Sequence, residues 1–241
     1  MSSKVTKKLK KSQKVTKRLP KKIIAFPNRD KEFHETWQDG DDELNFPHPF
    51  RCVLTGRPNS GKMTVVKNIL IRQNPPFEKL VIVYPDGKQG TEEYDDIEGD
   101  DISYENAIPS TDFFEAAGKG PKTLVIIDDF ELKNLDKTAR ANLDRLCGHV
   151  STHRGVSVML CSQDYYNVPA IARRCANLFV LWKPRDIASM NTVAQRCGHD
   201  LGQLFDSFCK TTKDSIWIDH TDQTKWPLRL NGYQQIEQFE E

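Results

Sequence analysis

One glycine-rich loop constrains this chain more than any other feature of its sequence. Residues 56–62 read GRPNSGK, which has the G-x4-G-K spacing of a phosphate-binding P-loop. An apolar strand pattern at 51–55 enters the loop, and a helical pattern at 65–70 leaves it. This order directs main-chain N–H groups of the turn and of a helix N-terminus at one point, where they favour the negative charge of a phosphate.

We therefore expect the loop and the first helical residues to bind the phosphates of ATP. Lys62 adds a positive charge that would contact the β- and γ-phosphates. The predicted nucleotide-binding residues are Gly56, Arg57, Pro58, Asn59, Ser60, Gly61, Lys62, Met63 and Thr64.

The residue after the P-loop lysine departs from the pattern. Ser or Thr normally follows the lysine and ligates Mg²⁺ through its hydroxyl, whereas this chain has Met63. A thioether is a poor ligand for a hard cation. Thr64 follows, but one step along a helix turns a side chain by about 100°. Three alternatives remain open: water fills the position, the loop shifts to bring Thr64 to the metal, or the chain binds nucleotide and hydrolyses it poorly.

A second apolar strand ends in two carboxylates, Asp128 and Asp129. This is the form of a Walker B motif, in which Asp128 would ligate Mg²⁺ directly or through a water. Asp129 is placed to act as a general base toward the attacking water, and Glu131 is the alternative base.

Polar residues also end a third apolar strand, at Ser162 and Gln163. Ligands gather at the carboxyl ends of parallel strands, so we expect Gln163 near the γ-phosphate, where its amide can position a water. Arg173 and Arg174 precede the next strand. Such a pair could stabilise a phosphate in a neighbouring subunit, contact DNA, or simply be solvated.

Alternating strand and helix patterns predict an α/β fold with a mostly parallel sheet flanked by helices. The strand interiors are apolar on both faces, which indicates helices on both sides. The predicted strands are Phe50–Gly56, Lys79–Pro85, Thr123–Asp129, Val156–Gln163, Asn177–Pro184 and Ser215–His220. The predicted helices cover about 61–72, 136–151, 169–176 and 186–197. An acid-rich stretch at 86–122 is predicted to be a solvated surface insertion.

Charge divides the chain into a basic tail and an acidic body. Residues 1–22 hold ten lysines and arginines and no acid, which leaves 25 basic against 34 acidic residues in the remainder. A tail of this charge density should be disordered, and it could bind a polyanion, direct nuclear import or merely aid solubility. We expect one P-loop ATPase domain over 23–241, with a core at about 46–200 and a C-terminal extension at 201–241.

The sequence shows no apolar run long enough for a membrane span and no apolar core of a secretory signal. We therefore expect a soluble, intracellular protein. The six cysteines form no close C-x2-C pair, so we expect reduced thiols rather than zinc ligands or disulfides.

The order of these motifs resembles that of the FtsK–HerA superfamily genome-packaging ATPases found in large DNA viruses of eukaryotes, virophages and Polinton-like elements. The resemblance covers about 46–200, and its most distinctive part runs from His153 to Asp186 through Gln163. It implies a RecA-like core that binds ATP and Mg²⁺, assembles into a ring and drives double-stranded DNA into a capsid.

Residue by residue, the resemblance implies that Lys62 binds phosphate, Asp128 and Asp129 form the Walker B pair, and Gln163 is the sensor. An arginine at 173 or 174 would act on the neighbouring subunit. Capsid or portal-vertex proteins would be partners, and the protein would act in the host cytoplasm or nucleus at virus assembly sites, or with the virion. Two alternatives differ in class: a P-loop kinase or NTPase acting on a small molecule, and a nucleotide-binding DNA or capsid adaptor with impaired hydrolysis.

Overall fold

A computed structural model describes residues 24–25, 46, 48–90, 92–120, 122–221 and 226–237. The strands are β1 Ile24–Ala25, β2 Arg51–Thr55, β3 Lys79–Val83, β4 Ile97–Glu98, β5 Ile102–Glu105, β6 Thr123–Asp128, β7 Val156–Ser162, β8 Leu178–Trp182, β9 Ser215–Asp219, β10 Leu228–Leu230 and β11 Gln234–Gln235. The α-helices are α1 Lys62–Arg72, α2 Thr111–Ala117, α3 Lys137–Arg145, α4 Ser151–Arg154, α5 Ala170–Cys175, α6 Ile187–Cys197 and α7 Leu201–Phe208. A π-helical turn, Leu146–Val150, joins α3 to α4.

Nine strands form one sheet in the order β11-β10-β9-β8-β2-β7-β6-β3-β5. The six strands from β8 to β5 are parallel, and β9, β10 and β11 extend the sheet in antiparallel register. The predicted mostly parallel sheet is therefore confirmed. In space β7 lies between β2 and β6, so the carboxyl end of β7 is placed between the ends of the other two.

Alternate residues of the central strands enter two separate hydrophobic cores. In β6, Val125 and Ile127 face one core, whereas Leu124 and Ile126 face the other. Helix α1 covers the second core, and residues from α2, α3, α5, α6 and α7 cover the first. Because both faces are buried, the strands can be apolar throughout, as the sequence predicted.

The predicted helices and strands match observed elements, with differences at their ends. The predicted helix at 136–151 continues through the π-helical turn and α4 to Arg154, where Gly155 ends it in a left-handed conformation with φ of 68°. Asp136 caps its start by accepting hydrogen bonds from the N–H groups of Thr138 and Ala139. These two residues explain why the helix begins and ends where it does.

The interpretation of 86–122 as a solvated insertion is wrong. The segment contains β4, β5 and α2, and β5 extends the parallel sheet beside β3. Tyr94 and Ile97 are buried in the core beneath α1, and Lys67 of α1, itself 2% exposed, pairs with Asp96 at 2.8 Å. The abundance of acids in the segment concealed the few apolar side chains that anchor it.

The C-terminal residues are also part of the sheet, because β9 pairs with β8 and β10 pairs with β9. Arg229 of β10 is buried and lies 3.4 Å from the Asp219 carboxylate.

The predicted basic tail, 1–22, lies outside the described residues. Within the described part of the chain, no helix has the length and apolar character needed to cross a membrane. The six cysteines are all free thiols.

Candidate nucleotide-binding site

A cavity of about 620 Å³ lies at the carboxyl edge of the parallel strands. Residues that follow β2, β3, β6 and β7 all contribute to its walls, so four separate chain segments converge there. Its lining residues are Pro58, Asn59, Gly61, Lys62, Met63, Thr64, Tyr84, Gln89, Glu92, Glu93, Tyr94, Asp128, Asp129, Gln163 and Lys213. Most of the predicted site residues are thus brought together in one cavity.

The loop geometry suits a phosphate. Gly61 precedes α1 with φ of 106°, a conformation that strongly favours glycine, and no side chain caps the helix. The N–H groups of the first turn of α1 are thus left for an anion. Gly56 is also required, because a Cβ there would lie 2.5 Å from the Ser60 Oγ and 2.7 Å from the Trp182 ring. Among the described residues, the buried Ser60 hydroxyl has no hydrogen-bond partner.

The Lys62 ammonium lies against the loop itself. Its Nζ donates hydrogen bonds to the main-chain oxygens of Gly56 at 2.7 Å and Arg57 at 2.9 Å. Burial lowers the pKa of Lys62, and the nearby carboxylates of Asp128 and Asp129 oppose that shift. The Lys62 side chain lines the cavity, where its ammonium can bind phosphate oxygens.

Asp128 ends β6 in a buried position, and Tyr94 donates its hydroxyl hydrogen to the Asp128 Oδ2 at 3.0 Å. Burial raises the pKa of Asp128 to about 6, against the opposing effects of the Tyr94 hydrogen bond and the Lys62 charge. A buried carboxylate with a raised pKa gains from a nearby cation. The carboxylate therefore fits the role of a Mg²⁺ ligand.

Asp129 and Gln163 contact each other across the cavity edge. The Gln163 Nε2 donates a hydrogen bond to the Asp129 Oδ1 at 3.1 Å. Asp129 has φ of 55°, an uncommon backbone conformation for a residue other than glycine. The turn directs its side chain to the cavity, whereas the alternative base, Glu131, accepts a hydrogen bond from Asn134 and does not line the cavity.

Met63 and Thr64 both line the cavity, and Met63 also packs against the core beneath α1. The apolar core therefore stabilises a thioether where a hydroxyl was expected. Thr64 is half-buried, and its main-chain oxygen accepts a hydrogen bond from Asn68 at 2.8 Å. The predicted metal-binding role of Thr64 stays a prediction.

Three predicted arginines have side chains outside this cavity. Arg57 donates a hydrogen bond to the main-chain oxygen of Lys183 at 3.3 Å and lines a smaller cavity of about 180 Å³. The Arg173 guanidinium lies 5.2 Å from the centre of the Tyr165 ring, and Arg174 is exposed. Arg173 and Arg174 do not line this cavity, so their predicted action on a neighbouring subunit stays a prediction.

Sequence reasoning missed six cavity residues: Tyr84, Gln89, Glu92, Glu93, Tyr94 and Lys213. Tyr84 directly follows β3, and the next four come from the segment interpreted as a surface insertion. The spacing of Tyr94 and Ile97, two largely apolar residues among acids, was one signal that this stretch packs on the core. Lys213 comes from the turn before β9, and nothing in its sequence context marks it.

Comparison with known proteins gives matches among solved structures but none from sequence. No model of a known protein family matches the chain, and no curated protein is similar to it in sequence. Among solved structures, B204, the DNA-packaging ATPase from Sulfolobus turreted icosahedral virus, superposes with a TM-score of 0.55 at 17% identity, over 76% of this chain and 98% of that chain.

The genome-packaging NTPase B204 from Sulfolobus turreted icosahedral virus 2 gives similar agreement. Its complex with sulfate has a TM-score of 0.54 at 18% identity, over 76% of this chain and 95% of that chain. Its complex with ATP-gammaS has a TM-score of 0.52 at 17% identity, over 77% of this chain and 98% of that chain. The chain has the fold of a viral genome-packaging NTPase. The predicted P-loop NTPase fold is therefore confirmed, and so, at the level of the fold, is the resemblance to packaging ATPases.

Proposed function

We propose that this protein is an ATP-driven motor that moves double-stranded DNA into a viral capsid. The observation that carries the proposal is the convergence of Lys62, Asp128, Asp129 and Gln163 on one cavity beside an uncapped helix N-terminus. The fold shared with B204 supports the link to packaging, since that protein is a genome-packaging NTPase.

In the proposed site the P-loop and Lys62 hold the phosphates of ATP. Asp128 would hold Mg²⁺, and Thr64 is a second candidate ligand. Mg²⁺, when bound, neutralises charge on the phosphates. Because burial disfavours the charge of Asp128, its carboxylate is stabilised most when a cation is present.

Hydrolysis needs a base and a means of orienting water. Asp129 is proposed to accept a proton from the water as the water oxygen attacks the γ-phosphorus, and ADP leaves with the bridging oxygen. Gln163 already donates a hydrogen bond to Asp129, so its side chain is close enough to hold the water and the base in one arrangement. The pair then responds to the presence of the γ-phosphate.

Movement of DNA requires contacts beyond the nucleotide site. We assign the basic tail, 1–22, to DNA phosphates, to which lysines bind through charge that salt screens. A ring would bring Arg173 or Arg174 to the next subunit's phosphates, and residues 23–241 would form the single domain of each subunit. Capsid or portal-vertex proteins are the proposed partners, at the sites where virus particles assemble.

The proposal is tested by the ATP hydrolysis rate of assembled full-length protein with and without double-stranded DNA. DNA should raise the rate, and Lys62→Ala should reduce it by at least about 100-fold because a phosphate-binding charge is lost. Lys137→Ala is the control, since Lys137 is exposed and does not line the cavity. An ATP hydrolysis rate that is changed neither by DNA nor by Lys62→Ala would contradict the proposal.

Met63 favours one other candidate function, a nucleotide-dependent adaptor that turns over slowly. Met63 packs on the core and lines the cavity where a metal-binding hydroxyl was expected. The test is Met63→Ser in the presence of DNA. A gain in kcat of about tenfold or more would support the adaptor, because the restored hydroxyl would improve the Mg²⁺ site. An unchanged kcat supports the motor.

A further inference from the structure

We infer that Lys213 is a second phosphate-binding cation of the nucleotide site, supplied by the turn before β9 in the same subunit. The inference rests on the proposed function and extends it, because Lys213 lies outside the P-loop and outside the part of the chain that resembles packaging ATPases. Its Nζ donates a hydrogen bond to the main-chain oxygen of Asn59, a P-loop residue, at 2.5 Å.

The turn that carries Lys213 is held firmly in place. The Asp214 carboxylate accepts hydrogen bonds from the N–H groups of Lys210 at 2.8 Å and Thr211 at 2.7 Å. Asn231 donates a hydrogen bond to the other oxygen of that carboxylate at 3.0 Å. The main chain at Lys213 is thus fixed, and its exposed side chain is held at the loop by the hydrogen bond to Asn59.

Trp182 connects this turn to the P-loop. Its indole N–H donates a hydrogen bond to the main-chain oxygen of Lys213 at 2.9 Å, and its ring lies so close to Gly56 that a Cβ there would be 2.7 Å from it. One rigid side chain therefore sets the distance between the turn and the loop. A ligand seated in the loop would find Lys213 already positioned.

Charge balance gives an independent reason for a second cation. Four carboxylates line the cavity, those of Glu92, Glu93, Asp128 and Asp129, and Lys62 and Lys213 are the two lysines among the lining residues. A polyphosphate would add further negative charge. Both lysines contact main-chain oxygens of the P-loop, so both sit where phosphate oxygens can take the place of those carbonyls.

The test is the affinity of full-length protein for ATP-gammaS, ADP and AMP, measured by calorimetry. Lys213→Ala should lower the affinity for ATP-gammaS by about tenfold and the affinity for AMP by less than about threefold. The loss of affinity should grow with the charge of the phosphate chain. Lys213→Arg keeps the charge and should recover most of the lost affinity. Lys210→Ala is the matched control, since Lys210 is an exposed lysine of the same turn that does not line the cavity.

Two results would overturn the inference while leaving the proposed function in place. Equal weakening of all three nucleotides by Lys213→Ala would mean that the lysine only braces the loop. Unchanged affinities would mean that it plays no part, provided that Lys62→Ala still abolishes binding. If wild-type protein binds none of the three nucleotides, the proposed function itself fails, and the role of Lys213 fails with it.

Discussion

The P-loop and the segment around Tyr94 line the same cavity but differ in how their sequences encode that role. The P-loop carries its function in seven consecutive residues, and the strand, turn and helix that it needs are adjacent in the chain. Tyr94 reaches Asp128 across 34 residues of sequence, and its own neighbours are acids typical of a solvated loop. A local motif is readable from sequence, whereas a long-range contact depends on packing that only the fold supplies.

The same contrast explains which parts of the fold were predictable. The six long strands were found because each is a continuous apolar run with polar ends, and the four helices because each has a helical apolar period. Strand β5, whose four residues are all only half-buried, and the short strands β10 and β11 lack such a pattern. Asp128, Asp129 and Gln163 were correctly expected at one edge of the sheet, since parallel strands present their carboxyl ends together.

Lys213 could not have been found in this way. It contacts Asn59 across 154 residues of sequence, and the antiparallel pairing of β9 with β8 is what places it there. The P-loop, Tyr94 and Lys213 thus line one cavity, but only the P-loop has a recognisable sequence motif. Substitutions in each region test whether they also differ in their contribution to function.

The largest effect is expected from Asp128→Asn, in the region that the motif identified. Turnover should fall by at least about 100-fold because the metal-binding charge is lost. The folded protein without nucleotide should become more stable at pH 7 by about 3 kcal/mol, because a buried carboxylate with a pKa of about 6 no longer has to ionise. Urea unfolding and ATP hydrolysis assays measure the two effects.

The pH dependence of wild-type stability has a defined sign. The pKa of Asp128 is raised by folding from 3.8 to about 6, so the folded state binds more protons between these values. Stability from this group is present below about pH 4 and is lost as pH rises through 6. Asp128→Asn should remove that part of the slope. A variant that is less stable than wild type at pH 7 and has an unchanged slope would show that burial does not raise the pKa of Asp128.

Tyr94→Phe should have a smaller effect on turnover than Asp128→Asn, and it tests residues 86–122, the segment whose packing the sequence did not predict. Loss of one hydrogen bond to Asp128 should lower kcat by about tenfold with little change in nucleotide affinity. Since that hydrogen bond lowers the pKa of Asp128, the acid limb of the pH–rate profile should move to higher pH. Tyr104→Phe is the control, because Tyr104 is half-buried and does not line the cavity. Identical profiles for the two variants would contradict this role.

A smaller effect, on the free energy of unfolding, should follow from breaking the ion pair between the 86–122 segment and α1. Asp96→Asn leaves the buried Lys67 ammonium without its partner, so the free energy of unfolding should fall by about 1–3 kcal/mol. Asp101→Asn breaks a more exposed pair with Lys79 and should cost less than about 0.5 kcal/mol. Equal costs in chemical denaturation would show that the segment is not anchored through Lys67.

The smallest effect is expected from Glu131→Gln. Glu131 is exposed, is hydrogen-bonded to Asn134 and lies outside the cavity lining, so kcat should change by less than about twofold. Asp129→Asn in the same assay should reduce kcat by about 100-fold, as expected for loss of a general base. If Glu131→Gln lowered kcat more than Asp129→Asn does, Glu131 rather than Asp129 would be the general base.

The most direct test of the motor is displacement of a third strand bound to double-stranded DNA by assembled full-length protein. We expect displacement with ATP, none with ATP-gammaS, and none for Lys62→Ala even when the variant binds DNA as wild type does. ATP hydrolysis without any displacement, or displacement that proceeds equally without ATP, would contradict the motor function.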